Sequence, residues 1–236
     1  MATSCGSAEP TTTSTLAPTT TATVAATTTT TTLPSSTTAA VRSPERTLPV
    51  PDNAAPTIDG VIAAGEWDGA TETTMTDGGT LLWMRSNETL YVALQGHSLG
   101  AVNLAIAARG ELWILHSSAA LGSVSYVEAG EDWTLVHDFE WCCRGANNTA
   151  TRLALLENEG WQANIGFAGD RGTVEYEVTL PWNGAAVAVS YQTEETDPAF
   201  WPADLTTEAT VDLIGPFPNE RQFHLDEWYH LASADS

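Results

Sequence analysis

Apolar residues recur at every second position over short runs through the middle and the C-terminal half of the chain. This alternation predicts β-strands that each bury one face. In the clearest run, Val174, Tyr176 and Val178 alternate with Glu175 and Glu177. We expect an antiparallel strand whose apolar face packs and whose glutamates meet water.

Further runs share this alternation, and turn residues such as Asp77-Gly78-Gly79 and Arg109-Gly110 separate them. Several short strands divided by turns predict an all-β, antiparallel sandwich. One short helix is expected over Ala150–Asn158, ending near Gly160. The other runs are Leu90, Val92 and Leu94; Val102, Leu104, Ile106 and Ala108; and Trp133, Leu135, His137, Phe139 and Trp141.

The N-terminal part of the chain is dominated by Thr, with scattered Ser, Ala and Pro, and includes an unbroken run Thr27–Thr32. Such a composition cannot form a core and is typical of an extended, often O-glycosylated spacer. We therefore expect a disordered stalk over residues 9–52 and one folded domain over 53–236.

Cys5 stands between small residues, in Ala2-Thr3-Ser4-Cys5-Gly6-Ser7. This resembles the end of a lipoprotein signal, so residues 1–8 could be the remnant of a lipid anchor; the alternative is an incidental cysteine in the stalk. The anchor together with the Thr-rich spacer predicts an extracytoplasmic protein, at the cell surface or secreted. No apolar run reaches the roughly 18 residues of a membrane span.

The formal net charge of −22 lies almost entirely beyond the stalk. Such a field repels phosphate and anionic lipid, so neither nucleic acid nor a bare membrane is expected as a partner. Cations and neutral ligands such as sugars remain compatible with this surface. The chain contains no Lys, which excludes the lysine-dependent nucleophiles and the phosphate-binding P-loop.

The predicted domain opens with Ile58-Asp59-Gly60, then Glu66-Trp67, then a hairpin ending in Leu90-Tyr91-Val92. This order resembles the DOMON-like superfamily, which includes the family 9 carbohydrate-binding modules and b-type haem domains. Three later segments resemble an uncharacterised bacterial and archaeal branch of that superfamily: Leu115–Gly122, Phe139–Arg144 and Glu159–Asn164. The resemblance implies an antiparallel β-sandwich with a ligand site on one sheet face or rim.

Carbohydrate is the first of the two ligand classes that this resemblance implies. Indole planes stack on the C–H faces of sugar rings while polar groups fix the hydroxyls. Of the nine Trp, Trp83, Trp113 and Trp133 lie within strand runs and are expected in the core. The candidates for stacking lie near turns or loops, although each could instead be a packing residue: Trp141, Trp161, Trp182 and Trp201.

Haem b is the second ligand class, held in the relatives by a Met and a His. Met84 and His116 are the pair that would do so here. A histidine in an apolar strand can equally be satisfied by a hydrogen bond. We therefore keep haem binding as the alternative to carbohydrate binding, with a structural surface domain that takes no small ligand as the third.

Cys142 and Cys143 are adjacent at the end of a predicted strand. A vicinal disulfide would form a rigid apolar platform beside Trp141, although extended backbone points neighbouring side chains to opposite faces. Two reduced, partly buried thiols are the alternative.

No catalytic motif occurs, and the pairs His116-Ser117 and His224-Leu225-Asp226 have no companions at productive spacing. We therefore expect a non-catalytic binding module without a resident cofactor. Oxygen ligands could hold a structural calcium ion at Asp52, Asp59 and Glu66, unless these side chains simply cap turns.

Overall fold

The computed structural model describes residues 46–142, 148–193 and 197–234, and from Glu140 to Cys142 the backbone alone. No helix in these ranges is long and apolar enough to cross a membrane. Two helices occur there, α1 (Thr149–Glu159) and α2 (Thr207–Ile214). The strands are β1 Thr47–Val50, β2 Thr71–Thr74, β3 Thr80–Ser86, β4 Thr89–His97, β5 Ala101–Ala108, β6 Glu111–Ser117, β7 Leu121–Ala129, β8 Asp132–Cys142, β9 Trp161–Ala168, β10 Arg171–Val178, β11 Ala186–Gln192, β12 Ala199–Trp201, β13 Glu220–Arg221 and β14 Tyr229–Ser233.

These strands form two sheets packed face to face, so the predicted all-β sandwich is confirmed. The large sheet has nine strands in the order β1-β14-β11-β5-β6-β7-β8-β13, with β12 also paired to β11. The small sheet has five, in the order β2-β3-β4-β10-β9. Pairing is antiparallel except between β1 and β14, because consecutive strands are joined mostly by short turns.

The core between the sheets takes one face of each, as the alternation predicts. Leu90, Val92 and Leu94 face it from the small sheet. Val102, Leu104, Ile106 and Ala108 face it from the large sheet, and Val174, Tyr176 and Val178 complete the small-sheet side.

The predicted helix is confirmed as α1. It begins at Asn148, whose side chain accepts hydrogen bonds from the backbone N–H groups of Ala150 and Thr151. It ends at Gly160, whose φ of 75° is left-handed. Helix α2 and the 3-10 turn Leu225–Glu227 were not expected from the sequence.

The outer face of the large sheet is covered by chain that follows β11, including α2. Trp228, Leu213 and Tyr126 are buried there, and half-buried Phe217 and Phe223 pack against them. Trp133, Leu135 and Phe139 face this cluster as predicted, but His137 is exposed, because the register of β8 on β7 shifts twice near Ser125.

The outer face of the small sheet is covered by the segment 57–67. Gly60 and Gly166 touch backbone to backbone, since any side chain at Gly166 would overlap the carbonyl oxygen of Gly60. Beneath this segment lies the carboxylate of Glu175, which is fully buried.

The Glu175 carboxylate accepts hydrogen bonds from the backbone N–H groups of Asp59 (3.1 Å) and Gly60 (2.7 Å) and from Trp67 Nε1 (3.1 Å). Burial raises its pKa to about 6, although these three donors oppose the shift. The expectation that Glu175 meets water is therefore wrong, because alternation cannot reveal that the polar face has a cover. Glu177 is half-buried.

The predicted domain boundary at residue 53 also needs correction. Thr47–Val50 pairs with β14, and the side chain of Arg46 bonds both carboxylate oxygens of Asp204. The folded domain therefore includes residues that the sequence assigned to the stalk. A four-residue strand within a Thr- and Pro-containing segment carries too little alternation to be seen.

Candidate ligand-binding groove

A groove with a volume of about 370 Å³ opens at one end of the large sheet, on its outer face. Its walls come from distant parts of the sequence: the β5–β6 turn, the end of β7, the start of β8 and the beginnings of β11 and β14. The 3-10 turn Leu225–Glu227 closes one side. The groove therefore lies where the cover of the large sheet stops short of the sheet end.

One wall is built by the two-residue turn between β5 and β6. Arg109 and Gly110 both adopt left-handed backbone, with φ of 55° and 79°, as a hairpin turn of this length requires. The side chain of Glu128 lies beside this turn, since a Cβ at Gly110 would be in ordinary contact with its Oε2 at 3.6 Å. Arg109 and Glu128 thus border the same side of the groove.

The floor of the groove is apolar. Ala107 and Ala186 contribute small side chains from the central strands, and Leu225 lies at the edge. Trp133 also lines the groove, and only 8% of this residue is exposed. Its ring meets Phe223 edge to face, with centroids 6.0 Å apart, so the indole is held in a fixed position.

Four polar side chains surround this floor. Arg109, Glu128 and Asp226 are exposed and His230 is half-exposed. Within the described part of the chain, none of the four side chains makes a hydrogen bond or an ion pair. The groove thus offers donors and acceptors that are free to bind a ligand, around a small apolar surface.

Three of the four tryptophans considered for sugar stacking are buried packing residues. Trp161 lies in the central core, and Trp182 donates from Nε1 to the carbonyl oxygen of Glu88 at 2.7 Å. Trp201 stacks on Tyr229 at 4.7 Å. Between 1% and 4% of each residue is exposed, so no indole face is available to a sugar. The side chain of Trp141 lies outside the described residues.

Trp83 and Trp133 are buried as expected, and Trp113 packs against the central core. Trp133 nevertheless lines the groove, which sequence reasoning missed. The alternation of apolar residues in β8 indicated that Trp133 is buried. It could not show that Trp133 borders an open groove at the end of the sheet.

Met84 and His116 do not meet. Met84 is buried on the outer face of the small sheet with Trp67 and Tyr91. His116 follows Leu112 and Ile114 on the outer face of the large sheet, so the two sheets and the core lie between the haem candidates.

His116 Nδ1 lies 2.7 Å from Asn103 Oδ1, and its Nε2 lies 3.1 Å from Ser118 Oγ. Burial lowers the pKa of this imidazole to about 4. These contacts match the alternative in which the histidine is satisfied by hydrogen bonds.

The three carboxylates considered for calcium are engaged separately. Asp52 pairs with Arg85 at 3.0 Å, and Asp59 accepts from the backbone N–H of Val61. Glu66 accepts from the backbone N–H groups of Thr57 and Ala63. Among the described residues, no three His, Cys, Asp or Glu side chains are grouped so that they could hold a metal ion.

The cysteine predictions lie outside what the structure describes. Cys5 and Cys143 fall in undescribed segments, and only the backbone of Cys142 is described, as the last residue of β8. The His224 of His224-Leu225-Asp226 pairs with buried Asp212 instead, at 3.0 Å. Asp226 faces the groove.

The chain matches no family model, no curated protein and no solved structure in the comparisons made with each.

Proposed function

We propose that this chain is a non-catalytic binding module that takes a short carbohydrate in the groove at the end of the large sheet. The observation that carries the proposal is the lining of the groove. It combines an apolar floor with four polar side chains that have no protein partner within the described residues. Sugars present the same combination, apolar C–H faces bordered by hydroxyl groups.

The negative charge of the groove and of the chain favours a neutral ligand over an anionic one. Arg109 is opposed in the groove by Glu128 and Asp226, and the chain as a whole carries a formal charge of −22. A strongly anionic ligand would be repelled during approach. A neutral saccharide can instead donate hydroxyl hydrogens to the carboxylates and accept from the guanidinium.

The volume of the groove suits a ligand of one or a few sugar rings, because it lies near the lower end of the range for small-molecule sites. The Thr-rich segment and the resemblance to DOMON-like domains support a place at the cell envelope or outside the cell. A long spacer would hold such a module away from the surface to which it is attached.

Glycan-array binding of the full chain, followed by calorimetric titration, tests the proposal. Glu128→Gln and Asp226→Asn keep side-chain size but remove the charge, and we expect each to weaken binding about tenfold. Glu72→Gln, on exposed β2 of the small sheet, is the matched control and should leave affinity unchanged.

Two results would remove the proposal. One is that no array sugar binds and none raises the melting temperature; the domain would then be a surface module without a small ligand. The other is that a sugar binds with the same affinity to the native chain and to both groove variants, since the site would then lie elsewhere.

A further inference from the structure

Arg109 has an unusual backbone for its side chain. Among the described residues, only Asn87, Ser98 and Arg109 have positive φ without being glycine, at 57°, 48° and 55°. Asn tolerates this conformation well, whereas a long side chain pays a steric cost there. Asn and Asp are the favoured residues at the first position of a two-residue hairpin turn whose second residue is Gly. Arginine is therefore not the residue that folding alone would select at this position.

The guanidinium of Arg109 is also the exception among the described arginines. Among the described residues it has no hydrogen-bond or ion-pair partner, although the chain contains 30 acidic residues. The other described arginines each have a protein partner: Arg46 with Asp204, Arg85 with Asp52, Arg152 with the carbonyl of Ile58, Arg171 with Gln95 and Arg221 with Asp212. Two independent features, backbone strain and a free guanidinium, thus coincide at the rim of the groove.

We propose that Arg109 is the residue that selects and orients the saccharide, and that it does so by donating two parallel hydrogen bonds to adjacent hydroxyl oxygens of one sugar ring. This inference rests on the proposed function. The planar fork of a guanidinium matches two neighbouring oxygen atoms, which a single ammonium cannot do. Glu128, on the same wall, accepts a hydroxyl hydrogen from the same diol.

If Arg109 is kept for binding in spite of its strained backbone, replacing it should stabilise the fold and weaken binding at the same time. Arg109→Asn should raise the melting temperature, by about 2 °C, because Asn suits the left-handed position better. The same substitution should abolish the two hydrogen bonds to the sugar and weaken binding about 10- to 100-fold. A residue kept for stability would show the opposite change in melting temperature.

Ser98→Asn is the matched control. Ser98 is another non-glycine residue with a left-handed backbone, and it lies outside the groove, between β4 and β5. The substitution Ser98→Asn should also raise the melting temperature and should leave sugar affinity unchanged. Arg109→Lys, which keeps the charge but loses the fork, should cause an intermediate loss of affinity.

The probes are cellotetraose, xylotetraose and mannotetraose as neutral sugars and tetragalacturonate as an acidic one, titrated into the full chain by calorimetry. We expect one neutral tetraose to bind, and its affinity to fall in Arg109→Asn while the melting temperature rises.

If a neutral tetraose binds equally well to Arg109→Asn, or if that variant melts at a lower temperature, the role of Arg109 is wrong while the carbohydrate function stands. If the native chain prefers tetragalacturonate and Arg109→Asn loses this preference, the guanidinium binds a carboxylate. The proposal that Arg109 binds two adjacent hydroxyl oxygens would then be wrong. If neither these four probes nor any array sugar binds the native chain, both proposals fail.

Discussion

The two outer faces of the sandwich are covered in different ways. The cover of the large sheet is apolar and aromatic, with Trp228 and Leu213 buried against the strands. The cover of the small sheet is held by hydrogen bonds to one buried carboxylate, Glu175, and by the close contact of Gly60 with Gly166. Apolar contacts tolerate substitution by another apolar side chain of similar size, whereas a buried hydrogen bond is lost when either partner changes. The two covers should therefore respond differently to substitution.

The groove lies on the large-sheet face, and this follows from the same difference. An apolar cover can end wherever its side chains end, leaving part of the sheet open beside it. The small-sheet cover is fixed by hydrogen bonds at Glu175 on β10 and by backbone contact at Gly166 on the edge strand β9. The open end of the large sheet is therefore where a ligand can reach an apolar floor.

The largest effect is expected for Trp228→Ala. Trp228 is fully buried, and truncation should lower the free energy of unfolding by about 4 kcal/mol. Trp228→Phe should cost only about 1–2 kcal/mol, because the indole N–H has no hydrogen-bond partner among the described residues. Urea denaturation of the three proteins measures both values. Equal losses would mean that this cover depends on the polar atom and would remove the contrast.

A smaller effect, of a different origin, is expected for Glu175→Gln. The amide keeps the size of the carboxylate but brings two N–H donors towards the three donors that Glu175 accepts from. We expect a loss of about 2 kcal/mol in the free energy of unfolding. Glu72→Gln on the same sheet is exposed and should change it by less than about 0.5 kcal/mol. If Glu175→Gln leaves the free energy of unfolding unchanged, the small-sheet cover does not depend on these hydrogen bonds, and the contrast between the two covers is wrong.

The strands with clear alternation, the central core and helix α1 could be predicted from the sequence because each depends on local periodicity or capping, whereas the four-residue strand β1 could not. The covers and the groove could not, because they depend on contacts between distant segments. Glu175 alternates like an exposed residue, and only the return of residues 57–67 over it makes it buried. The one local signal at the groove was Arg109-Gly110, where an arginine occupies a position that favours Asn or Asp.

The two faces should also respond to acid in opposite directions, and the larger response is expected on the large-sheet face. The pKa of His116 is lowered to about 4 from 6.5 because burial disfavours the charged ring. The unfolded chain therefore binds a proton first as the pH falls. The contribution of His116 is fully present above pH 6.5 and is lost as the pH falls towards 4. His116→Gln should reduce this loss in urea denaturation across that window; an unchanged pH profile would mean that His116 is protonated in the folded protein without cost.

Glu175 should produce the smaller and opposite pH dependence. Its pKa is raised to about 6 from 4.5 because burial disfavours the carboxylate, so the folded chain binds the proton first. Its contribution to stability is fully present below pH 4.5 and is lost as the pH rises through 6. The difference in unfolding free energy between the native chain and Glu175→Gln should therefore be larger at pH 4.5 than at pH 7. Urea denaturation at both values measures it, with Glu72→Gln as the control that should show no such change. A difference that instead grows with pH would mean that the donors from Asp59, Gly60 and Trp67 outweigh burial, and that the small-sheet cover is held most firmly by the charged carboxylate.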